Sequence, residues 1–131
     1  MEVHFKIIGS ILILLALVHI IFPKHFHWEK EFAFVNLLNR QMMYVHTFFI
    51  ALTVLLMGML CLLESQALAT TSLGKKISLG LGVFWCCRLF VQLFGYSSKL
   101  WKGKPTETFI HIGFTLLWIY FSAIFFLNAF Q

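Results

Sequence analysis

Histidines give the first chemical signal in this sequence of 131 residues. His19, His46 and His111 each fall about one helical turn from the end of a long apolar run. Neutral imidazole binds Zn²⁺ or Fe²⁺ well, and three protein ligands with one open position form a catalytic metal site. The three residues therefore predict a divalent-metal site that acidifies bound water and acts on a membrane-soluble substrate by hydrolysis or oxidation.

A second polar group lies within the third apolar run. Arg88, Gln92 and Tyr96 follow one another at intervals of four residues, which places them on one helical face. Ionisable groups inside a membrane span are costly, usually face the interior of a bundle and often mark a functional site. We predict that these three residues form a cofactor-binding stripe beside the histidines.

Two other interpretations remain open from the residues alone. Two of the histidines can serve as axial ligands of haem b between antiparallel helices, in an electron carrier or a subunit of a redox complex. Arg88, Arg40 or Lys99 would then be available to bind the haem propionates. Alternatively, the histidines are structural hydrogen-bonding groups in a non-catalytic membrane scaffold. The pattern does not decide whether the protein is an enzyme.

The elements that must position these residues are apolar helices. Hydrophobic residues make up 60% of the chain, and its mean hydropathy is +0.88. A helix needs roughly 20 apolar residues to cross a bilayer, and every backbone polar group in hydrocarbon must be satisfied internally. The sequence thus predicts an all-α membrane four-helix bundle, a single domain over residues 1–131, with spans at about 5–22, 44–63, 77–96 and 108–128.

The connections between these spans differ. Residues 23–43 alternate aromatic and charged side chains, so we predict an amphipathic segment lying along the membrane interface. Residues 64–76 and 97–107 are expected to be simple turns. Three glycines at the start of the third span, Gly74, Gly80 and Gly82, are expected to allow close helix contact.

Topology predicts that the histidines share one layer of the bundle. The first and third helices end on the face where the second and fourth begin, so His19, His46 and His111 lie at similar depth. His25 and His27 belong to the first connection, and His4 lies at the opposite end of the first span.

The distribution of charged residues indicates the lipid surroundings of the protein and its orientation in the membrane. The formal charge of +5 sits in short clusters beside the spans, which suits anionic lipid headgroups and does not indicate a nucleic-acid partner. Six basic residues flank the first and third connections and three lie on the other face, so we predict a cytoplasmic histidine-rich face and external termini. Expected partners are the bilayer, a lipid or other membrane-soluble ligand, and a homo-oligomer or a larger membrane complex.

Overall fold

A computed structural model describes residues 1–25, 28–31, 33–34, 36–95, 103 and 105–131. The helices are α1 (Glu2–His25), α2 (Trp28–Glu31), α3 (Leu37–Leu63), α4 (Ser65–Thr70), α5 (Ser72–Phe90) and α6 (Pro105–Ala129), and a π-helical turn (Val91–Gly95) continues α5. The described ranges contain no strand. The all-α class is confirmed.

Within the described part of the chain, four helices are long and apolar enough to cross a membrane: Glu2–Ile21, Leu37–Leu63, Ser72–Gly95 and Pro105–Ala129. They correspond to the four predicted spans, and the protein is a small polytopic membrane protein. Two of the helices, α3 and α5, begin earlier than hydropathy indicates, at residues where side chains cap the helix. The Asn36 side chain accepts a hydrogen bond from the Leu38 amide, and the Thr71 hydroxyl accepts one from the Gly74 amide.

The predicted connections contain helix. Within residues 23–43, α1 continues to His25, α2 occupies one turn, and α3 already begins at Leu37. The second connection contains α4 and the first turn of α5. In the third, α6 begins at Pro105, a residue well suited to the first helical position because it has no amide hydrogen to leave unsatisfied.

The chain divides into two compact units, Glu2–Ser65 and Gln66–Gln131. We call them the α1–α3 unit and the α5–α6 unit after the helix pairs that pack within them. The single domain expected over residues 1–131 stays a prediction.

Small residues bring the two long helices of the α1–α3 unit together. A Cβ atom added to Gly9 would lie 2.7 Å from the carbonyl oxygen of Gly58, so the two backbones are in direct contact. Close backbone approach at small residues is a common way for membrane helices to pack. The buried residues follow helical spacing on each partner: Phe5, Ile8, Leu12 and Ala16 on α1, and Thr47, Ala51, Val54, Gly58 and Cys61 on α3.

Large aromatic residues form the core of the α5–α6 unit. The rings of Trp85 and Trp118 stack at 4.9 Å with an interplanar angle of 14°, and Phe121 packs edge-on against Trp85 at 5.2 Å. Of the three glycines expected at close contacts, Gly74 lies against the backbone of α4 and Gly82 against the Phe126 ring. The expectation is wrong for Gly80, where an added Cβ atom would have no neighbour within 4 Å among the described residues.

Candidate functional site

A chain of polar side chains connects α5 to α6 inside the span. Arg88 Nη1 donates a hydrogen bond to Gln92 Oε1 at 3.2 Å, and Gln92 Nε2 lies 2.9 Å from His111 Nδ1. Gln92 is buried, with 6% of its surface exposed, while Arg88 and His111 are half-buried. Arg88 and Gln92, which share a helical face, are thus joined by a hydrogen bond, and the chain extends to one of the predicted histidines. That these residues bind a cofactor stays a prediction.

The direction of these hydrogen bonds follows from the donors and acceptors available. A guanidinium group can only donate, so the amide oxygen of Gln92 faces Arg88. The amide NH₂ group then faces His111 and donates to Nδ1, which must be the unprotonated ring nitrogen. Neutral His111 consequently carries its hydrogen on Nε2. Arg88 thus sets the tautomer of a histidine on another helix by orienting the amide between them.

Gln92 lies in the π-helical turn Val91–Gly95. Such turns are rare, and they appear frequently at functional sites, where an extra residue in a helical turn changes the direction of the side chains. Here the turn falls at the position where the α5 stripe reaches toward α6. It is a second local feature, independent of the hydrogen bonds, that sets this end of α5 apart.

An aromatic layer lies directly beside the polar chain. The Arg88 guanidinium carbon is 5.2 Å from the centre of the Trp118 ring, within range of a cation–π interaction. Trp118 in turn stacks on Trp85. The indole N–H groups of both tryptophans are buried and have no hydrogen-bond partner among the residues described. Packing, and not hydrogen bonding, holds this layer.

A separate polar contact joins the helices at the opposite end of the α5–α6 unit. Asn128 Nδ2 donates to the carbonyl oxygen of Leu68 at 2.8 Å and to Ser78 Oγ at 2.7 Å, and both Asn128 and Ser78 are fully buried. Asn128 lies about 25 Å along α6 from His111 at 1.5 Å per residue. This contact was not predicted from the sequence. The signal for it was that Ser78 and Asn128 are polar residues at similar depth in neighbouring spans.

His19 makes a different kind of hydrogen bond. Its Nδ1 lies 2.7 Å from the carbonyl oxygen of Leu15, one turn earlier in α1. A carbonyl only accepts, so Nδ1 carries the hydrogen, and Nε2 holds the lone pair when the ring is neutral. His19 lies on the same face of α1 as the buried residues Leu12 and Ala16. This is the opposite tautomer to that of His111.

His46 belongs to the same unit as His19. Measured along the helices from the contact of Gly9 with Gly58, His19 lies about 15 Å away on α1 and His46 about 18 Å away on α3. The two residues are thus at similar depth, but the His46 side chain is exposed, and the buried residue at this level of α3 is its neighbour Thr47.

The three-histidine site stays a prediction. His19 and His46 lie in the α1–α3 unit and His111 lies in the α5–α6 unit. Among the described residues, no group of three or more His, Cys, Asp or Glu side chains is gathered closely enough to hold a metal ion. Tyr96, the last member of the predicted stripe, falls outside the described residues, as does His27.

Comparisons with known proteins add no assignment. No family model, curated protein or solved structure matches this chain.

The charge of the sequence is divided unevenly between the units. Residues 2–65 contain four basic and four acidic residues, a net charge of zero. Residues 66–131 contain six basic residues and one acidic residue, Glu107, a net charge of +5. The whole formal charge of the protein therefore belongs to the half that contains the Arg88–Gln92–His111 chain.

Proposed function

We propose that the protein binds the anionic head of a membrane-soluble amphiphile, with a long-chain carboxylate as the representative ligand, at Arg88, Gln92 and His111. The observation that carries the proposal is the hydrogen-bonded chain from Arg88 through Gln92 to His111. Polar and charged groups at membrane depth are expensive and are usually retained for a function.

The chemistry of the chain favours a ligand that accepts hydrogen bonds. Arg88 has only donors, and the Gln92 bond to Nδ1 makes Nε2 of His111 a donor as well. Arg and a carboxylate form strong, charge-assisted and often bidentate hydrogen bonds. A carboxylate therefore matches the site better than an alcohol or an amine does.

Charge and surroundings support the same ligand class. The α5–α6 unit has a net charge of +5, which favours an anion over a neutral or cationic head. The α6 surface around His111 is apolar and exposed, with Phe109, Ile112 and Leu116 each more than half exposed. An amphiphile whose head contacts Arg88 can lay its hydrocarbon tail along this surface.

Equilibrium binding of radiolabelled hexadecanoate to the purified protein in detergent tests the proposal, with hexadecanol as the uncharged probe. We expect saturable binding of the acid, weaker binding of the alcohol, and at least a tenfold loss of affinity in Arg88→Gln, since a charge-assisted hydrogen bond is worth about 1.5–3 kcal/mol. Lys76→Gln, which removes an exposed positive charge from the same helix, should bind normally.

A second variant keeps the test independent of folding effects in Arg88→Gln. Gln92→Glu places a carboxylate next to Arg88, where it competes with the carboxylate of the ligand, while it keeps the size of the side chain. We expect this variant to remain folded and to lose hexadecanoate binding. Equal affinity for acid and alcohol, or unchanged binding in both variants, would contradict the proposed site.

The metal site of His19, His46 and His111 is a second candidate function, favoured by one observation. The Nδ1–H group of His19 donates to a backbone carbonyl, as the second ring nitrogen of metal-ligating histidines commonly does. The hydrogen bond from Gln92 opposes it, because a neutral His111 that ligates through Nε2 has its hydrogen on Nδ1, the atom to which the Gln92 amide donates.

Elemental analysis and an absorption spectrum of the purified protein test this candidate together with the haem alternative. Stoichiometric Zn or Fe that is lost in His46→Ala and His111→Ala but kept in His4→Ala supports the metal site. A Soret band supports haem b. Metal-free, colourless protein contradicts both and leaves the anion site or a structural scaffold.

We infer that the face bearing residues 23–43 and 97–107 is cytoplasmic, so that Met1 and Gln131 lie outside. The excess of basic residues beside these connections supports this orientation. Alkaline phosphatase fused after Gln131 should be active in bacterial cells, and the same enzyme fused within residues 97–104 should be inactive. The reverse pattern would overturn the orientation.

A further inference from the structure

An apolar groove lies on α6 near its end. Its volume is about 440 Å³, and its lining is almost entirely hydrocarbon, from Ala123, Phe126, Leu127, Phe130 and Gln131. These residues are spaced at three and four positions, so they share one face of the helix. The groove begins at Ala123, about 18 Å along α6 from His111. It is therefore separate from the anion site proposed above.

Two of the lining side chains, Phe126 and Phe130, make contacts within the α5–α6 unit. The Phe126 ring rests against Gly82 of α5, where an added Cβ would lie 3.1 Å from the ring. Phe130 stacks on Phe126 with ring centres 6.4 Å apart and an interplanar angle of 13°. Contact with α5 therefore sets the position of Phe126, and stacking on Phe126 orients Phe130.

The ammonium group of Lys75 lies at the rim of the groove. Lys75 Nζ donates a hydrogen bond to the backbone oxygen of Gln131 at 2.7 Å, and Gln131 is one of the lining residues. Lys76 follows on α5 and is exposed. Both lysines lie in the first turn and a half of α5, at the end of a span, where lipid headgroups are found.

We propose that this groove binds an anionic phospholipid, with one acyl chain in the groove and the phosphate bound by Lys75. The apolar lining matches hydrocarbon, and the ammonium group at the rim matches a phosphodiester. Lysines next to a membrane span attract anionic headgroups. The hydrogen bond from Lys75 to Gln131 places the ammonium group beside a residue that lines the groove.

Native mass spectrometry of the protein released from nanodiscs tests this site. Nanodiscs contain equal amounts of phosphatidylglycerol and phosphatidylcholine with identical acyl chains. We expect one phosphatidylglycerol to be retained in preference to phosphatidylcholine. Lys75→Gln should reduce that preference by about fivefold, the effect of one lysine at the membrane surface. Lys76→Gln should reduce it less.

Filling the groove gives a test that does not depend on charge. Ala123→Trp should prevent retention of either lipid, because the indole occupies the groove. The matched control is Leu14→Trp, since Leu14 is 63% exposed and lies on α1, in the other unit. Equal retention of both lipids, equal effects of the two lysine variants, lipid retained by Ala123→Trp, or a dimer in place of the lipid adduct would overturn the proposal.

Discussion

The two units use opposite means to hold a pair of apolar helices together. In the α1–α3 unit, Gly9 and Gly58 bring the backbones into contact, and basic and acidic residues are equal in number. In the α5–α6 unit, stacked tryptophans separate the helices, polar side chains bond across them at both ends, and the net charge is +5. The difference shows that a pair of apolar helices can be held by close backbone packing alone or by aromatic packing combined with polar contacts between helices.

The histidines of the two units also differ in their hydrogen-bond partners. His19 bonds to the backbone of its own helix, an interaction that an isolated helix can make. His111 bonds to a side chain of another helix that Arg88 orients in turn. The tautomer of His19 is therefore a local property, whereas the tautomer of His111 depends on the assembled α5–α6 unit.

The largest expected effect is loss of the aromatic layer that characterises the α5–α6 unit. Trp118→Ala removes the stack with Trp85 and the ring beneath Arg88, and replacing a buried tryptophan costs about 3–5 kcal/mol. Unfolding in detergent measures the change. Phe109→Ala, at a residue that is 78% exposed, should cost far less. Equal effects of the two variants would mean that the aromatic layer does not hold this unit.

A smaller loss of stability is expected when the glycine contact of the α1–α3 unit is disturbed. Gly9→Ala places a methyl group against the backbone of α3, and such overpacking costs about 1–3 kcal/mol. Gly113→Ala is the control, because an added Cβ there has no neighbour within 4 Å among the described residues. The same unfolding measurement should show Gly113→Ala to be neutral or slightly stabilising. A neutral Gly9→Ala would refute direct backbone contact.

Of the three features, the buried amide of Asn128 should contribute least to the stability of the protein. Asn128→Leu removes its hydrogen bonds to Leu68 and Ser78, and side-chain hydrogen bonds between membrane helices average about 0.6 kcal/mol. Thr53→Val is the control, since the Thr53 hydroxyl donates to the Phe49 carbonyl of its own helix. We expect a measurable loss of stability in Asn128→Leu and a smaller change in Thr53→Val. A more stable Asn128→Leu would show that the contact is not a stabilising one.

The sequence predicted the spans well because apolar length is a strong signal. It placed the start of the second span near Tyr44 and that of the third near Ile77, whereas the helices begin at Leu37 and Ser72. Hydropathy does not register a capping side chain such as Asn36 or Thr71, and so the helix starts were missed.

Within the site, the sequence predicted what helical spacing determines. The alignment of Arg88 with Gln92 follows from an interval of four residues, and the placement of Gln92 near the layer of His111 follows from topology. The stacking of Trp85 on Trp118 and the contact of Asn128 with Ser78 depend on how each helix is rotated about its axis. Runs of apolar residues do not encode that rotation, because lipid-facing and buried positions are equally apolar.

The Arg88–Gln92–His111 chain is tested most directly by the tautomer of His111, read from ring-nitrogen NMR of the neutral side chains in protein labelled with ¹⁵N-histidine. His19→Asn and His111→Asn assign the signals of the two residues. We predict that His111 carries its hydrogen on Nε2 and His19 on Nδ1, and that Gln92→Leu removes the hydrogen-bond shift at Nδ1 of His111 while it leaves His19 unchanged. A hydrogen on Nδ1 of His111 in the unsubstituted protein would contradict the chain.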